Sequence, residues 1–153
     1  NTIENLVENT FIITQNIDGM HQRANSKNVI ELHGSLWRLR CDREKKIFED
    51  TSSGLFKKKI CECGDWLRPD IIWFQDMLNE QTISTANKRV VECDLFISIG
   101  TSGLVWPAAN YPSLAKSSGS YCVEINPEET EASYLYDQVI RLPASKALEK
   151  IVQ

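Results

Sequence analysis

Two nearly continuous apolar runs constrain this chain more than any other feature: residues 94–99 and 121–125, each ending just before a polar turn. A strand reads this way when both of its faces are buried, and such strands belong in a parallel sheet covered by helices. Residues 10–14 and 138–142 read as two further strands, and helical patterns fill 81–92, 107–116 and 144–152. Strands alternating with helices imply right-handed crossovers, so the expected class is α/β, a Rossmann-like doubly wound sheet. At 153 residues the chain suits one domain.

Composition narrows the function classes. A 42% hydrophobic and 25% charged content is that of a globular protein, and no apolar run approaches the ~18 residues a membrane span needs. The first nine residues are polar and helix-like rather than a secretion leader, which places the expected protein in the cytoplasm. Net charge is -4 and the only basic run is Lys57-Lys58-Lys59, so neither a nucleic-acid footprint nor a membrane partner is expected.

The stretch 38–68 breaks the strand–helix rhythm. It is polar, punctuated by Thr51-Ser52-Ser53-Gly54, and carries Cys41, Cys61 and Cys63 of the five cysteines. An odd number with three clustered does not make a secreted disulfide framework and raises metal binding. The expected organisation is a Rossmann-like domain from 1–37 and 69–153, with 38–68 as a small inserted module. Cys93 and Cys122, flanked by apolar residues, read as core, and the four tryptophans read as packing residues.

Chemistry gathers where strands end, which is where open α/β sheets bind ligands. Thr14-Gln15-Asn16-Ile17-Asp18-Gly19-Met20-His21 follows the first strand with two carboxamides and a carboxylate, groups suited to a ribose and an amide. Glu31-Leu32-His33-Gly34-Ser35 supplies His33, the candidate base, imidazole being the side chain best able to take a proton near neutral pH. Taken alone, His33 would read as structural, as His21 does. Gly100-Thr101-Ser102 opens a turn into a helix that Pro107 would start, and backbone amides there can hold phosphate. Asn126-Pro127-Glu128 offers another carboxamide after the next strand.

These segments, with Leu67-Arg68-Pro69 before Trp73-Phe74, resemble in order and spacing the sirtuin family of NAD-dependent protein-lysine deacylases, from Thr10 to Val152. The resemblance implies a reaction in which the acyl oxygen of a modified lysine attacks the ribose carbon that carries nicotinamide. It assigns His33 as the base on a ribose hydroxyl and Asn16 to the nicotinamide ribose and a reactive water. Asp18 with Ile17 would hold the nicotinamide carboxamide, and Gln15 would contact the ribose. Gly100, Thr101 and Ser102 would line phosphates and adenosine ribose, Asn126 would bind that ribose, and Ala144 would lie against adenine. An acylated lysine peptide would be the partner, its channel walled by Ile72, Trp73, Phe74 and Val105 and its backbone added as a strand. The tryptophan-phenylalanine pair, Pro107-Ala108-Ala109 and Pro143-Ala144-Ser145 resemble the bacterial subgroup grouped with mitochondrial desuccinylases.

Three departures from the family shape the expectation. Its glycine-alanine-glycine turn and phenylalanine-arginine loop have no counterpart in these residues, so the expectation is a fragment of a longer protein with an incomplete sheet and little NAD turnover. A degenerate, non-catalytic ADP-ribose-binding module is the alternative, and mono-ADP-ribosyl transfer differs only in acceptor. The family's two Cys-x-x-Cys pairs for zinc become Cys41-Asp42-Arg43-Glu44 and Cys61-Glu62-Cys63. Three cysteines leave the fourth zinc ligand to Glu44, Asp42 or a water, with weaker affinity. Asn25 stands where the family has glycine, a substitution the left-handed region tolerates.

Overall fold

The computed structural model describes residues 2–49, 59–73 and 76–151. They divide into two compact units, Ile3–Thr82 and Ile83–Gln153. The fold is Rossmann-like α/β, with parallel strands in each unit and an antiparallel sheet bearing cysteines in the first. Among the described residues no helix is long and apolar enough to cross a membrane.

In the first unit a short helix, α1 (Thr2–Leu6), precedes β1 (Ile12–Thr14), which pairs in parallel with β2 (Val29–Glu31). Five of the six residues of the two strands are β-branched, as a pleated and partly buried surface favours. Between them α2 (Met20–Arg23) ends in a turn where Asn25 takes φ 60°, the left-handed conformation expected of it. The strand expected over 10–14 begins only at Ile12, because the Thr10 hydroxyl donates back to the Val7 carbonyl at 2.9 Å.

The antiparallel sheet has the order β4-β3-β5, with β3 (Gly34–Cys41) between β4 (Lys46–Glu49) and β5 (Leu67–Ile71). Gly34 is required at its start: its φ is 76°, and a Cβ there would lie 2.0 Å from the Asp70 carbonyl oxygen. Ser35, Leu39, Cys41 and Ile71 are its buried residues, and Cys61 is buried in the turn beside it. Around them Arg38 bridges Glu31 and Asp70 at 2.6 and 3.0 Å, and Arg68 bridges Asp42 and Asp76 at 2.6 and 3.4 Å.

In the second unit β6 (Leu95–Ile99), β7 (Tyr121–Ile125) and β8 (Gln138–Ile140) form a parallel sheet of that order. Helix α5 (Ala144–Ile151) sets Ala147 against Val123 and Ile125, with Ile97, Ile140, Leu142 and Leu148 packed around them. Helix α3 (Glu80–Glu92) starts where the Asn79 side chain accepts the Thr82 N–H at 3.0 Å and buries Ala86 and Val90, one turn apart.

Two expectations need correction. The helix expected over 107–116 is broken into a 3-10 turn, Ala108–Asn110, and α4 (Tyr111–Ser117), with Pro112 rather than Pro107 in the first α-helical turn. Pro112 has no N–H to give, so it is tolerated only there. Of the four tryptophans read as packing, Trp66, Trp73 and Trp106 are exposed, while Trp37 packs on Gly19.

Candidate functional site

At the carboxyl edge of β1 and β2 the chain turns twice in close quarters. The Leu32 N–H donates to the Thr14 carbonyl at 2.9 Å, which sets the loop after β2 beside the loop after β1. His33 Nδ1 lies 3.1 Å from the Gln15 carbonyl oxygen. A carbonyl can only accept, so this bond puts the ring proton on Nδ1 and leaves the Nε2 lone pair to take a proton. The His33 carbonyl in turn accepts the Ile72 N–H at 3.0 Å, which joins the end of β5 to the same place.

The loop after β1 is held residue by residue. The Thr14 hydroxyl accepts the Asn16 N–H at 3.1 Å, and the Ile17 carbonyl accepts the Leu36 N–H at 2.9 Å. The Trp37 indole N–H donates to the Asp18 carbonyl at 2.6 Å, and Asp18 Oδ1 accepts the Met20 N–H at 3.0 Å. Gly19 turns with φ 68°, and a Cβ on it would meet the Trp37 ring at 2.5 Å. Arg23 stacks over that ring, 5.6 Å from its centre. With their main chains tied, Asn16 and Asp18 keep exposed side chains. Trp37 packs as expected; what sequence reasoning missed is the hydrogen bond its indole donates to Asp18.

The second unit carries a hollow of about 380 Å³ at the carboxyl edge of β6 and β7. Gly100, Thr101, Ser102 and Asn126 line it, together with Leu104, Thr130 and the carboxylates Glu128, Glu129 and Glu131. Asn126 stitches its walls: its amide donates to the Thr101 carbonyl at 2.9 Å and its side-chain oxygen accepts the Glu128 N–H at 3.3 Å. The acidic rim disfavours phosphates and suits the hydroxyls of a ribose, which can donate to carboxylates. Ala144 and Val105 are not among the lining residues.

Beneath this hollow lies Glu124, only 3% exposed. It accepts from Thr130 Oγ1 at 2.5 Å, Ser133 Oγ at 2.6 Å and Arg141 at 2.7 Å. Burial pushes its carboxyl upward, but the Ser133 and Thr130 hydroxyls and the Arg141 guanidinium outweigh it and hold the group below its ordinary value. Arg141 also donates to the Glu128 carbonyl at 3.0 Å, so the pair fixes the loop after β7. A charge inside the apolar run 121–125 was the signal for this network, which sequence reasoning missed.

Of the expected substrate wall, Ile72 is half-buried and Trp73 exposed at the end of β5, and Phe74 lies outside the described residues. Val105 is exposed in the loop after β6, and Ala144 opens α5.

The sulfurs of Cys41, Cys61 and Cys63 lie within 4.8 Å of one another, with Cys41 and Cys63 3.6 Å apart. Cys41 ends β3, while Cys61 and Cys63 occupy a tight turn in which the Cys61 carbonyl accepts the Gly64 N–H at 2.9 Å. The Glu44 N–H donates to Cys41 Sγ and holds that thiol below its ordinary value. The Cys63 N–H favours the Cys61 thiolate too, but burial, the two neighbouring thiols and Glu44 prevail and push it to about 11. Sulfurs crowded in this way fit a cation, and the donor set is one that zinc accepts.

Residues 1–107 match the model of the Sir2 family. An NAD-dependent protein deacylase of Aquifex aeolicus is 43% identical over 145 residues, 94% of this chain and 61% of that protein. One of Pyrococcus furiosus is 40% identical over 149 residues, 93% of this chain and 60% of that protein. The crystal structure of a Sir2 homologue–NAD complex superposes with a TM-score of 0.91 at 38% identity, over 99% of this chain and 60% of that one. A Sir2 structure with a p53 peptide and NAD+ gives 0.82 at 30% identity, over 97% and 63%. The chain thus spans about three fifths of the length of the curated relatives it matches.

Proposed function

The chain belongs to the Sir2 family, and from that premise we propose that it carries the catalytic edge of an NAD-dependent protein-lysine deacylase. The observation that supports this most is the bond between His33 Nδ1 and the Gln15 carbonyl, which leaves Nε2 as a base at the edge where a ligand binds. Bound NAD would supply the ribose carbon to which the acyl group of a modified lysine passes as nicotinamide leaves.

In this reading His33 takes the proton of a ribose hydroxyl, and Asn16 orients that ribose and a water. Asp18 and Ile17 hold the carboxamide of nicotinamide, Asp18 through the carboxylate oxygen not bonded to Met20. Gln15 contacts the ribose, its carbonyl fixing the imidazole. Gly100, Thr101, Ser102 and Asn126 receive the adenosine end, with Ala144 against adenine. Ile72, Trp73, Phe74 and Val105 wall the acyl-lysine channel. Zinc, where bound, would be structural, and we place the protein in the cytoplasm.

A second reading, an ADP-ribose-binding module without turnover, draws support from the altered cysteine motif, Cys41-Asp42-Arg43-Glu44 and Cys61-Glu62-Cys63. One assay separates the two: nicotinamide release from NAD in the presence of an acetylated or succinylated lysine peptide, with calorimetry on NAD and ADP-ribose. Deacylation predicts peptide-dependent release that His33→Asn lowers by about 10²–10⁴-fold while nucleotide binding persists. Tight ADP-ribose binding with no release favours the module, and loss of both activities rejects the two readings together.

A further inference from the structure

Three cysteine sulfurs leave a tetrahedral cation one ligand short, and two carboxylates in the β3–β4 hairpin are near enough to be considered. Asp42 is already committed: its two oxygens receive Arg40 Nε at 2.9 Å and Arg68 Nε at 2.6 Å. Turning it toward the sulfurs would break both contacts, which are the shortest ion pairs that Arg40 and Arg68 make. Glu44 is placed differently. Its Oε2 is 3.5 Å from Cys61 Sγ, and its N–H donates to Cys41 Sγ at 3.4 Å.

We propose that Glu44 is the fourth ligand of a zinc centre whose other three ligands are Cys41, Cys61 and Cys63. The distances agree with such a shell. With sulfur about 2.3 Å and carboxylate oxygen about 2.0 Å from a tetrahedral zinc, two sulfurs stand about 3.8 Å apart, and a sulfur and an oxygen about 3.5 Å. Cys41 and Cys63 are 3.6 Å apart, and Glu44 Oε2 meets Cys61 at 3.5 Å. The carboxylate reaches the cluster at Cys61, and its side-chain torsions can carry it the rest of the way to the cation.

The hairpin explains why this position serves. Cys41 pairs with Lys46 across the β3–β4 ladder, and Lys45 turns the connection with φ 55°. Glu44 therefore stands three residues after Cys41, where a Cys-x-x-Cys pair would put its second thiolate. The substitution changes charge as well as geometry. Three thiolates and a carboxylate around zinc leave two negative charges, and Lys46 Nζ, 2.9 Å from Glu44 Oε2, offsets one of them. Binding releases the thiol protons to solvent. A carboxylate binds zinc less tightly than a thiolate does, so the centre exchanges its metal faster than a four-sulfur one and still ties the hairpin to the 61–64 turn. None of this depends on the catalytic reading.

The test uses the 153-residue chain, purified under reducing conditions and titrated with Zn²⁺ and, as a spectroscopic stand-in, Co²⁺. The parent should bind one equivalent, with the visible bands of tetrahedral cobalt and the sulfur-to-cobalt absorption of three thiolates. Glu44→Ala should weaken binding at least about tenfold and leave that sulfur absorption in place. Glu44→Cys, which keeps a ligand at the position and guards against loss of folding, should tighten binding and raise the absorption by about a third. Asp42→Asn should leave the metal affinity of the parent unchanged. The proposal fails if the parent binds no metal, if Glu44→Ala binds as tightly as the parent, if Glu44→Cys adds no sulfur absorption, or if Asp42→Asn is the variant that releases the ion.

Discussion

Around Asn126 the loops rest on a charge in the core, whereas around His33 they rest on main-chain bonds and an indole. Glu124 is a buried carboxylate whose hydroxyl and guanidinium partners come from the chain after β7. The Gln15–Gly19 loop instead has its carbonyls tied by Leu36, Trp37 and His33. The first edge thus depends on a buried carboxylate, and the second on main-chain bonds, an indole and steric fit at Gly19. Acid and substitution should therefore separate them.

The largest effect expected is from Glu124→Ala, which leaves the Arg141 guanidinium without its carboxylate and two hydroxyls without an acceptor. Loss of charged hydrogen bonds of this kind costs about 3 kcal/mol, read as a lower urea midpoint, and it should loosen the wall at Asn126 enough to weaken ADP-ribose binding. Gly19→Ala should cost about 2 kcal/mol, because a Cβ meets the Trp37 ring and the backbone is left-handed. Unlike the first, that loss should be the same at pH 4 and pH 7.

Acid gives the next contrast. The Glu124 carboxyl is held below its unfolded value of about 4.3, so its contribution is complete above that pH and is lost as pH falls through the lower folded value. Amide exchange at Thr130 and Ser133 should quicken over that window, and Glu124→Gln should remove the change. Asp137, held low by the Cys122 N–H and Lys116, adds to the acid dependence of overall stability, as Glu4 and Glu44 do. Exchange at Leu36 should not follow that of Thr130 and Ser133. The smallest effect belongs to the exposed Lys88–Glu92 pair of α3, where Lys88→Ala should cost no more than about 0.5 kcal/mol.

What could be read from the sequence follows the same division. The runs 94–99 and 121–125 became β6 and β7 within a residue, because continuous apolar runs mark parallel strands. Only β7 is buried over most of its length; in β6, expected to be covered on both faces, Leu95 and Ile99 are exposed among the described residues. The residues of the Gln15–Asp18 loop and His33 stood out because they follow strands and come in an order that resembles a family. The three-residue β2 was not visible, since Val29–Glu31 is too short to show a period. Nor were β3 and β5, whose alternation is interrupted by Arg38, Arg40, Arg68 and Asp70, charges that find ion-pair partners only in the fold, nor the short, mostly exposed β4. Glu124 and Trp37 act through other residues, and single-residue chemistry does not reveal partners that only folding brings together.

The account depends most on the imidazole of His33 being presented with its proton on Nδ1 and Nε2 bare. Long-range ¹⁵N–¹H correlation spectra of the ¹⁵N-histidine protein, assigned with His21→Gln, read that state directly. A neutral ring protonated at Nδ1, changing to the other tautomer's pattern or to a mixture only when the 15–19 loop is disrupted by Gly19→Val, is the predicted result. A ring found with its proton on Nε2 in the parent would contradict the assignment of His33 as the base.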